Sequence, residues 1–394
     1  MKTSDLLTRA VAKVIPQTFA EEKLATGNAI RLYWGIDPTG AKIHLGHAVP
    51  LRKMQAFAEA GHEVIMLIGS FTAMIGDPSG RDAMRAVLTP EDVKKNFEDY
   101  KDQASKILDF SKIKVRYNHE WLEKLGFKEI IDLASNFTVQ QMLQRDMFER
   151  RLKEEKFIHV HEFLYPLMVG YDSVVLDVDC EIGGTDQEFN MLAGRTLQKA
   201  FGKREKFVLT MKLLEGTDGR KMSKTYENCI YLTDEPKDMF GKVMSVKDEL
   251  IAAYFECATD VPMEEIKEME KAMKKGENPV TFKKRLAQEI VSLYHGAKEA
   301  EGAAAGFAST FAKQGIPEDI ETIESERKLL VDILAEHKLV SSKSDAKRLI
   351  EQGGIHLLKG DVTLEQVIKG EYPKGKTEVT LKIGKKAFVR IRIK

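Results

Sequence analysis

The sequence has few cysteines and no long apolar segment. Its three cysteines lack CxxC spacing and cannot all pair with one another, which argues against a disulfide framework or zinc ribbon and indicates a reducing cytoplasm. No window approaches the about 18–20 apolar residues that span a membrane, so we expect no membrane partner. Residues 1–19 lack the apolar run of a signal peptide and favour an amphipathic helix. The apolar side of that helix would hold Leu6, Leu7, Ala10, Val11 and Val14.

Net charge is also absent, because 61 Lys and Arg balance 61 Asp and Glu. The charge of the whole chain therefore gives no indication of a nucleic-acid partner. Residues 341–394, however, hold 13 Lys and Arg against 6 Asp and Glu. A basic C-terminal segment on an acidic remainder is typical of a protein that binds an anionic partner. With 394 residues, the chain is long enough for two or three domains of about 100–200 residues.

Apolar strand patterns alternate with helical patterns in the first half of the chain. Residues 31–36 and 63–69 predict buried strands, and the helical segment between them ends at Gly61. A strand, a helix and a strand with short connections form a βαβ unit, which predicts a parallel sheet. Further strands are predicted at 114–118, 173–179 and 205–214, and further helices at 89–107, 127–152, 160–171 and 187–201.

The character of the sequence changes after about residue 232. Residues 236–314 are charged, alanine-rich and helical in pattern, whereas the segment from about 325 to 394 predicts two short helices followed by β-rich sequence. We therefore predict an α/β protein with three domains. These are a Rossmann-like parallel-sheet catalytic domain over 1–232, an α-helical domain over 233–324 and a small basic α+β domain over 325–394.

The first candidate motif is His44-Leu45-Gly46-His47, at the start of the first predicted helix. Histidines three positions apart share one face of a helical turn, and glycine allows a ligand to approach the backbone closely. A helix N-terminus attracts anions, so the motif suits a nucleotide triphosphate. Two satisfied surface histidines explain the tetrapeptide alone about equally well. A metal pair is a further possibility, but no third ligand lies at a suitable spacing nearby.

The second candidate motif is Lys221-Met222-Ser223-Lys224-Thr225, in a loop that follows the last predicted strand. Two lysines three positions apart in a loop can close over phosphates and stabilise charge that develops there. For an isolated pair of this kind, a solvated basic turn is the more common explanation. The two motifs together are more specific than either alone, because one opens the first helix of the Rossmann-like unit and the other follows a later strand of its sheet.

This pair of motifs resembles that of class I aminoacyl-tRNA synthetases. Four further segments narrow the resemblance to the bacterial-type tyrosyl-tRNA synthetase family. They are LYWGIDPTGAKIHLGH (32–47), IGDPSG (75–80), EFLYPLMVGYDSV (162–174) and GGTDQEFN (183–190). The resemblance extends along essentially the whole chain. The family implies an enzyme that activates tyrosine with ATP and transfers it to tRNA(Tyr). It also implies Mg²⁺ bound with ATP, no structural metal, and a homodimer formed through helices near 130–165.

The resemblance implies a role for each matching residue. Tyr33 and Asp172 would meet the phenol hydroxyl of tyrosine, the first donating and the second accepting a hydrogen bond. Asp77 and Tyr165 would hold the α-ammonium group, and Gln187 would orient the amino acid. The nucleotide contacts comprise Gly35, Asp37, Gly46, Gly184, Asp186 and Met222 around adenosine and ribose, and Thr39, His44, His47, Lys221, Lys224 and Thr225 at the phosphates, with Arg81 and Arg85 on a second mobile loop.

Residue chemistry supports these tyrosine contacts unequally. A carboxylate at Asp172 lies in an otherwise apolar segment and needs a partner. Tyr165 taken alone is better explained as core, and Asp77 as a turn residue before proline. Asp177 and Asp179 alternate along the predicted strand at 173–179, so we expect them at the surface.

One position departs from the family pattern. Where the family usually has a glutamine near the ammonium group of the amino acid, this sequence has Val169, which cannot form a hydrogen bond there. A synthetase for another aromatic amino acid, such as tryptophan, therefore stays open, although Tyr33 and Asp172 favour a phenol. An RNA-binding or splicing protein derived from a synthetase also stays open, although the retained motifs argue against it. A metabolic nucleotidyltransferase is a further candidate, but it would not need the helical middle and basic tail.

The C-terminal segment resembles the small RNA-binding module shared with a ribosomal small-subunit protein. A predicted helix start in it carries hydroxyl and basic side chains at Ser342, Lys343, Ser344, Lys347 and Arg348. These groups suit phosphate contacts, which position RNA without reading its sequence. The segment could instead be a basic solubilising domain, but the basic surplus favours RNA binding. The family further implies that the helical domain binds the anticodon.

Overall fold

The computed structural model describes residues 5–38, 42–78, 88–312, 320–326, 329–360, 362–372, 377–384 and 387–393. It divides into two units, residues 1–301 and 302–394. Most helices of the segment 233–324 lie in the first unit. The functional division into three domains stays a prediction. No helix among the described residues is both long enough and apolar enough to cross a membrane.

Ten strands and eighteen α-helices make up the described structure. The strands are β1 Val11–Ile15, β2 Arg31–Ile36, β3 Glu63–Ile68, β4 Ile113–Tyr117, β5 Cys180–Gly184, β6 Phe207–Met211, β7 Thr322–Ser325, β8 Ile355–Lys359, β9 Thr377–Ile383 and β10 Ala387–Ile393. The helices of the first half are α1 Gln17–Ala25, α2 Leu45–Glu59, α3 Thr72–Ile75, α4 Pro90–Ala104, α5 His119–Leu122, α6 Phe127–Ala134, α7 Val139–Leu143, α8 Asp146–Lys153, α9 His161–Leu176 and α10 Glu188–Ala200. Those that follow are α11 Pro236–Met244, α12 Ile251–Ala258, α13 Met263–Lys274, α14 Pro279–His295, α15 Ala297–Ala312, α16 Leu330–Glu336, α17 Lys343–Glu351 and α18 Leu364–Lys369.

The first unit is built on a six-stranded sheet with the order β1-β6-β5-β2-β3-β4. All neighbouring strands are parallel except β1, which is antiparallel to β6. The predicted parallel α/β sheet is therefore confirmed. From β2 the chain first adds β3 and β4 on one side and then β5 and β6 on the other. The direction of winding reverses between β2 and β5, and in open α/β sheets ligands bind at the carboxyl ends of strands at such a point.

The strand predicted at 173–179 is wrong. Helix α9 continues to Leu176, and β5 begins only at Cys180. A short apolar run cannot by its pattern be assigned to helix or strand, and here it completes a buried helix. Asp177 ends that helix in the left-handed conformation. The surface expectation for Asp179 is also wrong, because it is buried and its carboxylate pairs with Lys23 at 3.0 Å and Arg204 at 2.9 Å.

The prediction of an amphipathic helix at the N-terminus is wrong as well. Residues 11–15 form β1, which pairs with the outer edge of β6. Pairing with an open sheet edge outweighs a weak helical pattern when the residues are β-branched. The helical stretch at 127–152 is divided into α6, α7 and α8, since Thr138 starts a new helix with a capping box.

The second unit contains a four-stranded sheet with the order β7-β10-β9-β8. Its apolar core includes Leu330, Ile333, Leu381 and Ile391. The two predicted short helices correspond to α16 and α17, and β8 and α18 come between them and the β-hairpin of β9 and β10. This agrees with the predicted small α+β domain.

Candidate active site

The predicted site residues gather where the winding of the first sheet reverses. Asp37 follows β2, and a 3₁₀ turn at Thr185–Gln187 follows β5. Helix α2 begins directly after His44, and α9 packs closely against α10. These elements bring the segments 33–38, 42–47, 165–172 and 184–187 together at one edge of the sheet.

Asp172 is a buried carboxylate that accepts two hydrogen bonds. Its side chain is 2% exposed, and it accepts from Trp121 Nε1 at 2.8 Å and from Asn118 Nδ2 at 3.3 Å. Burial raises the pKa of Asp172 well above its usual range, whereas the two donated hydrogen bonds lower it. Because indole N–H and amide NH₂ groups only donate, the carboxylate is arranged as an acceptor. No sequence pattern points to Trp121 or Asn118.

Tyr33 lies on β2 with its ring buried and its hydroxyl directed to α9. Its phenol oxygen is 2.9 Å from Ser173 Oγ, and Ser173 is the neighbour of Asp172 in the chain. Burial raises the pKa of Tyr33 well above its usual range, so the phenol stays protonated at neutral pH. Tyr33 and Asp172 therefore combine a hydroxyl with an accepting carboxylate.

Asp37 is held by hydroxyl groups from two different elements. Thr72 Oγ1 donates to Asp37 Oδ1 at 2.7 Å, and Tyr165 Oη donates to Asp37 Oδ2 at 2.8 Å. Asn118 Nδ2 donates in turn to Thr72 Oγ1 at 3.1 Å. A Cβ atom at position 69 would collide with Asp37 and Thr72, so Gly69 makes room for this arrangement. The network connects a predicted adenosine contact with a predicted amino-acid contact.

Asp77 and Gln187 are also joined. Gln187 Nε2 donates to Asp77 Oδ2 at 2.8 Å, and Asn190 Nδ2 donates to Gln187 Oε1 at 2.8 Å. The buried Arg145 donates to Asn190 Oδ1 at 3.3 Å. Burial lowers the pKa of Arg145, and the negative charge of Asp77 acts in the opposite direction. Sequence reasoning missed Arg145, since one arginine in a charged helical segment carries no signal. Two predicted amino-acid contacts thus share a network with a buried cation.

Val169 lies on the same face of α9 as two predicted tyrosine contacts. It follows Tyr165 by four positions and precedes Asp172 by three, which places all three on neighbouring turns. Val169 is partly buried. The departure from the family pattern therefore lies in the wall that carries these contacts.

His44 and His47 stack on each other at the start of α2. Their ring centroids are 3.8 Å apart. Burial lowers the pKa of His44 to about 3, with a contribution from His47, and lowers the pKa of His47 to about 4, with a contribution from Lys221. Both imidazoles are therefore neutral at pH 7 and offer N–H groups rather than positive charge.

Gly46 allows the two motifs to meet. A Cβ atom there would lie 3.1 Å from the ring of His44 and 3.4 Å from the sulfur of Met222. Met222 is buried, and Lys221 Nζ lies 3.2 Å from Asp186 Oδ2. The structure thus brings residues of HLGH, KMSKT and GGTDQ together, as the resemblance implies.

A buried asparagine shapes the loop that carries the second motif. Asn228 Oδ1 accepts from the backbone N–H of Ser223 at 2.9 Å, and its Nδ2 donates to Asp218 at 2.8 Å and to the carbonyl of Lys221 at 3.2 Å. Lys224 begins a 3₁₀ turn, and Thr225 is exposed. No sequence pattern predicts this role for Asn228.

The remaining predicted nucleotide contacts lie at strand ends or outside the described residues. Gly35 is exposed near the end of β2, and Gly184 ends β5, where a Cβ atom would lie 2.5 Å from Asp186 Oδ1. Thr39, Arg81 and Arg85 lie outside the described residues. Within the described residues, no group of three or more His, Cys, Asp or Glu side chains is placed to hold a metal ion.

The predicted RNA contacts cluster on α17 in the second unit. Ser342 caps this helix by accepting from the backbone N–H of Asp345 at 3.1 Å. Lys343 pairs with Asp332 at 2.8 Å, and Arg348 pairs with Asp345. All five predicted RNA contacts are exposed: Ser342, Lys343, Ser344, Lys347 and Arg348.

Comparisons with known proteins agree on one family. Residues 25–312 match the family model of the class I tRNA synthetases for tryptophan and tyrosine. A tyrosine–tRNA ligase of Thermotoga maritima is 44% identical, covering 98% of this chain and 96% of the relative. A tyrosine–tRNA ligase of Photobacterium profundum is also 44% identical, and the match covers 98% of this chain and 97% of that relative.

Solved structures with a similar fold bear related names. A C-terminally truncated mitochondrial tyrosyl-tRNA synthetase of Coccidioides posadasii is 26% identical with a TM-score of 0.60, covering 75% of this chain and 88% of that one. A tyrosyl-tRNA synthetase of Archaeoglobus fulgidus, solved with L-tyrosine, has a TM-score of 0.61 over 76% of this chain and 98% of that one. At 21% identity, this second likeness concerns the fold alone.

Proposed function

This chain belongs to the tyrosine–tRNA ligase family of class I tRNA synthetases, and we propose that its site activates tyrosine with ATP and transfers tyrosine to the 3′ end of tRNA(Tyr). One observation carries the proposal. Tyr33 and Asp172, both buried, place a hydroxyl near an accepting carboxylate in one candidate subsite, and the HLGH and KMSKT motifs, which meet at Gly46 and Met222, form another. The first subsite suits a phenol and the second a nucleotide triphosphate.

In the first step, a carboxylate oxygen of tyrosine attacks the α-phosphorus of ATP. A bond forms between that oxygen and phosphorus, the bond to the β-phosphate oxygen breaks, and pyrophosphate leaves. The carboxylate is already ionised, so this step needs neither a general base nor an enzyme nucleophile. Catalysis comes from positioning and from stabilising charge at the phosphates. We assign that stabilisation to N–H groups of His44 and His47 and to the ammonium groups of Lys221 and Lys224.

In the second step, a terminal ribose hydroxyl of tRNA attacks the acyl carbon of tyrosyl-adenylate. The new ester bond forms, the bond to the phosphate-bearing oxygen breaks, AMP leaves and the hydroxyl proton is released. The residues that hold the amino acid keep the acyl carbon in place. In our assignment these are the phenol contacts of Tyr33 and Asp172 and the ammonium contacts of Asp77 and Tyr165.

We propose that Mg²⁺ enters on the phosphates of ATP, as part of the substrate. Mg²⁺ is commonly held by substrate phosphates together with few protein carboxylates. Its positive charge would reduce repulsion between the phosphates and the attacking carboxylate.

A homodimer is supported by an apolar surface on helices α6 to α9 and their connections. Large side chains there are strongly exposed, including Phe127 at 80%, Phe157 at 86% and Val160 at 77%. The same region exposes Ile131, Val139 and Leu152. An apolar patch of this kind is typical of a protein–protein contact, and two-fold dimers are the commonest soluble oligomers. We propose that a second copy of the chain covers it.

The tRNA partner is supported by the basic surplus of the C-terminal residues. We propose that the exposed side chains at the start of α17 contact tRNA phosphates and that helices of the segment 233–324 lie near the anticodon. A cytoplasmic location is supported by the three cysteines, which are buried and unbridged.

ATP–pyrophosphate exchange, with each of the twenty amino acids in turn, tests the activity. Exchange with tyrosine alone is expected. Exchange with tryptophan instead would keep the class I chemistry and overturn the phenol assignment, a result that the valine at position 169 would help to explain. Folded protein with Mg²⁺ and no exchange with any amino acid would favour an RNA-binding protein derived from a synthetase.

A further inference from the structure

A buried ion pair lies behind the phenol subsite and has no part in the mechanism above. Lys206 directly precedes β6 and is 0% exposed, and Glu181 on β5 is 4% exposed. The ammonium of Lys206 donates a hydrogen bond to Glu181 Oε2. Burying two charges carries a large desolvation cost, so such a pair is weak support for stability and calls for another explanation.

Short contacts join this pair to Tyr33. Lys206 Nζ lies 2.7 Å from Ser173 Oγ, and Ser173 Oγ lies 2.9 Å from Tyr33 Oη. Tyr33 and Glu181 are register partners on the adjacent strands β2 and β5, so their side chains share a face of the sheet. The chain of polar contacts runs from Lys206 through Ser173 to Tyr33 and ends beside Asp172.

Two glycines make this arrangement possible. A Cβ atom at Gly194 of α10 would collide with Lys206 Nζ and Ser173 Oγ. A Cβ atom at Gly170 of α9 would lie 3.2 Å from the backbone of α10. The close approach of α9 and α10 therefore places Ser173 within reach of Lys206.

The direction of the hydrogen bonds follows from the donors available. A lysine ammonium only donates, so Ser173 Oγ must accept from Lys206. The single hydroxyl proton of Ser173 then goes either to Tyr33 Oη at 2.9 Å or to Glu181 Oε2 at 3.3 Å. The shorter contact favours Tyr33, and Glu181 Oε2 already accepts a hydrogen bond from Lys206. When Ser173 donates to Tyr33, the hydroxyl of Tyr33 keeps its own proton to donate, and Glu181 and a bound phenol oxygen compete to accept it.

We propose that Lys206, Glu181 and Ser173 are positioning residues that make Tyr33 a hydrogen-bond donor to the phenol oxygen of bound tyrosine. The phenol hydroxyl in turn donates a hydrogen bond to the carboxylate of Asp172. From Lys206 through Ser173 and Tyr33 to the bound phenol, each group donates a hydrogen bond to the next. The inference rests on the proposed tyrosine specificity and names three residues that determine it. Phenylalanine has no phenol oxygen, so the arrangement does not act on it.

A double-mutant cycle with Ser173→Ala and Tyr33→Phe tests the inference. We expect Ser173→Ala to lower kcat/KM for tyrosine in pyrophosphate exchange about tenfold, while kcat/KM for phenylalanine changes less than about twofold. In the Tyr33→Phe protein, Ser173→Ala should have no further effect on tyrosine. Equal losses for both amino acids, or additive effects in the cycle, would overturn the proposal.

The double variant Lys206→Met with Glu181→Leu removes the ion pair without leaving an unpaired buried charge. We expect it to fold, as judged by its thermal transition, and to lose tyrosine preference in the same direction as Ser173→Ala. Its matched control is Arg151→Met with Glu162→Leu, a second buried ion pair with a separation of 2.5 Å, which should leave the tyrosine-to-phenylalanine ratio unchanged. If both double variants change the ratio alike, the pair at Lys206 has only a structural role.

These outcomes separate the inference from the proposed function. Unaltered protein that does not exchange with tyrosine would defeat the proposed function itself. Unaltered protein that prefers tyrosine, while the Lys206 and Ser173 variants keep that preference, would defeat only the positioning role. Equilibrium dialysis with labelled tyrosine gives a second readout, in which Ser173→Ala should raise Kd by a factor similar to its effect on kcat/KM.

Discussion

The ammonium of Lys221 lies 3.2 Å from a carboxylate oxygen of Asp186. This contact joins the KMSKT loop to the 3₁₀ turn after β5. The two side chains are 66% and 35% exposed, and ion pairs at that exposure contribute about 0–1 kcal/mol. Asp186 is the proposed ribose contact, so ATP would release Lys221 at little cost and leave its charge for the phosphates.

Removing that charge tests the assignment. We expect Lys221→Ala to lower the rate of tyrosine activation by about 10²-fold, because the charge acts on the transition state, and to leave the Kd of tyrosine almost unchanged. Pre-steady-state formation of tyrosyl-adenylate measures the rate, and equilibrium dialysis measures Kd. Lys112→Ala, at an exposed loop position, is the control. Equal losses in rate and tyrosine binding would contradict the assignment.

The stacked histidines should make stability depend on pH. Their pKa values in the folded protein, about 3 for His44 and about 4 for His47, lie below the ordinary 6.5. As pH falls below 6.5, the unfolded chain takes up protons that the folded protein does not. Their contribution is therefore fully present above pH 6.5 and is lost as pH falls toward 4 and 3.

Urea unfolding at pH 7.5 and pH 5 measures this loss. Each histidine should account for up to roughly 2 kcal/mol over that interval, at 1.4 kcal/mol per pH unit. Between pH 7.5 and pH 5, the double variant His44→Asn with His47→Asn should lose correspondingly less stability than the unaltered protein. The control His356→Asn should lose as much stability as the unaltered protein. The same pH dependence in all three proteins would show that the pair takes up protons in the folded protein as readily as in the unfolded chain.

The sequence predicts the residues of the candidate site better than it predicts the residues that hold them in place. Tyr33 and Asp172 stand in segments with recognisable motifs, but Trp121, Asn118 and Thr72 come from other parts of the chain. Single polar residues in connections have no periodicity, and only the sheet brings them beside Asp172 and Asp37. Strands β2, β3 and β6 are predictable because each is a nearly continuous apolar run, whereas β5, with the sequence CEIGG, is not such a run and lies outside the predicted strands.

Prediction fails where tertiary contacts override local pattern. Residues 11–15 pair with a sheet edge that the local sequence does not indicate. Lys206 stands in a charged run, GKREK, that looks solvated, yet it is wholly buried. Its partner Glu181 is 25 positions away, a separation at which sequence patterns give no information on pairing.

Restoring the family residue at position 169 should strengthen amino-acid binding. Val169→Gln adds an amide on the face of α9 that carries Tyr165 and Asp172, so we expect the KM of tyrosine to fall about two- to tenfold with little change in kcat. Val175→Gln, at a 38% exposed position of the same helix, is the control. A higher KM would indicate that the surroundings of Val169 have adapted to an apolar side chain.

A charge in the apolar surface should prevent dimer formation. Phe157 is 86% exposed, and an aspartate buried there in a dimer would have no partner. Sedimentation equilibrium should give twice the chain mass for the unaltered protein and a single chain mass for Phe157→Asp. Phe201→Asp, at a 43% exposed position outside the patch, should remain dimeric. A dimeric Phe157→Asp protein would place the contact elsewhere.

The start of α17 should contribute to tRNA affinity through charge alone. Lys347 is exposed there, while Lys343 and Arg348 each pair with an aspartate. We expect Lys347→Ala to weaken binding of tRNA(Tyr) and of an unrelated tRNA by a similar factor, and to reduce the slope of log K against log salt by about 1, since one phosphate contact is lost. Filter binding at salt concentrations from about 50 to about 200 mM measures both. Lys369→Ala on α18 removes the same charge from a side chain paired with Glu365 at 2.6 Å, and it should leave the slope unchanged. If both variants change the slope equally, the basic surplus acts as a diffuse charge and α17 is not the contact.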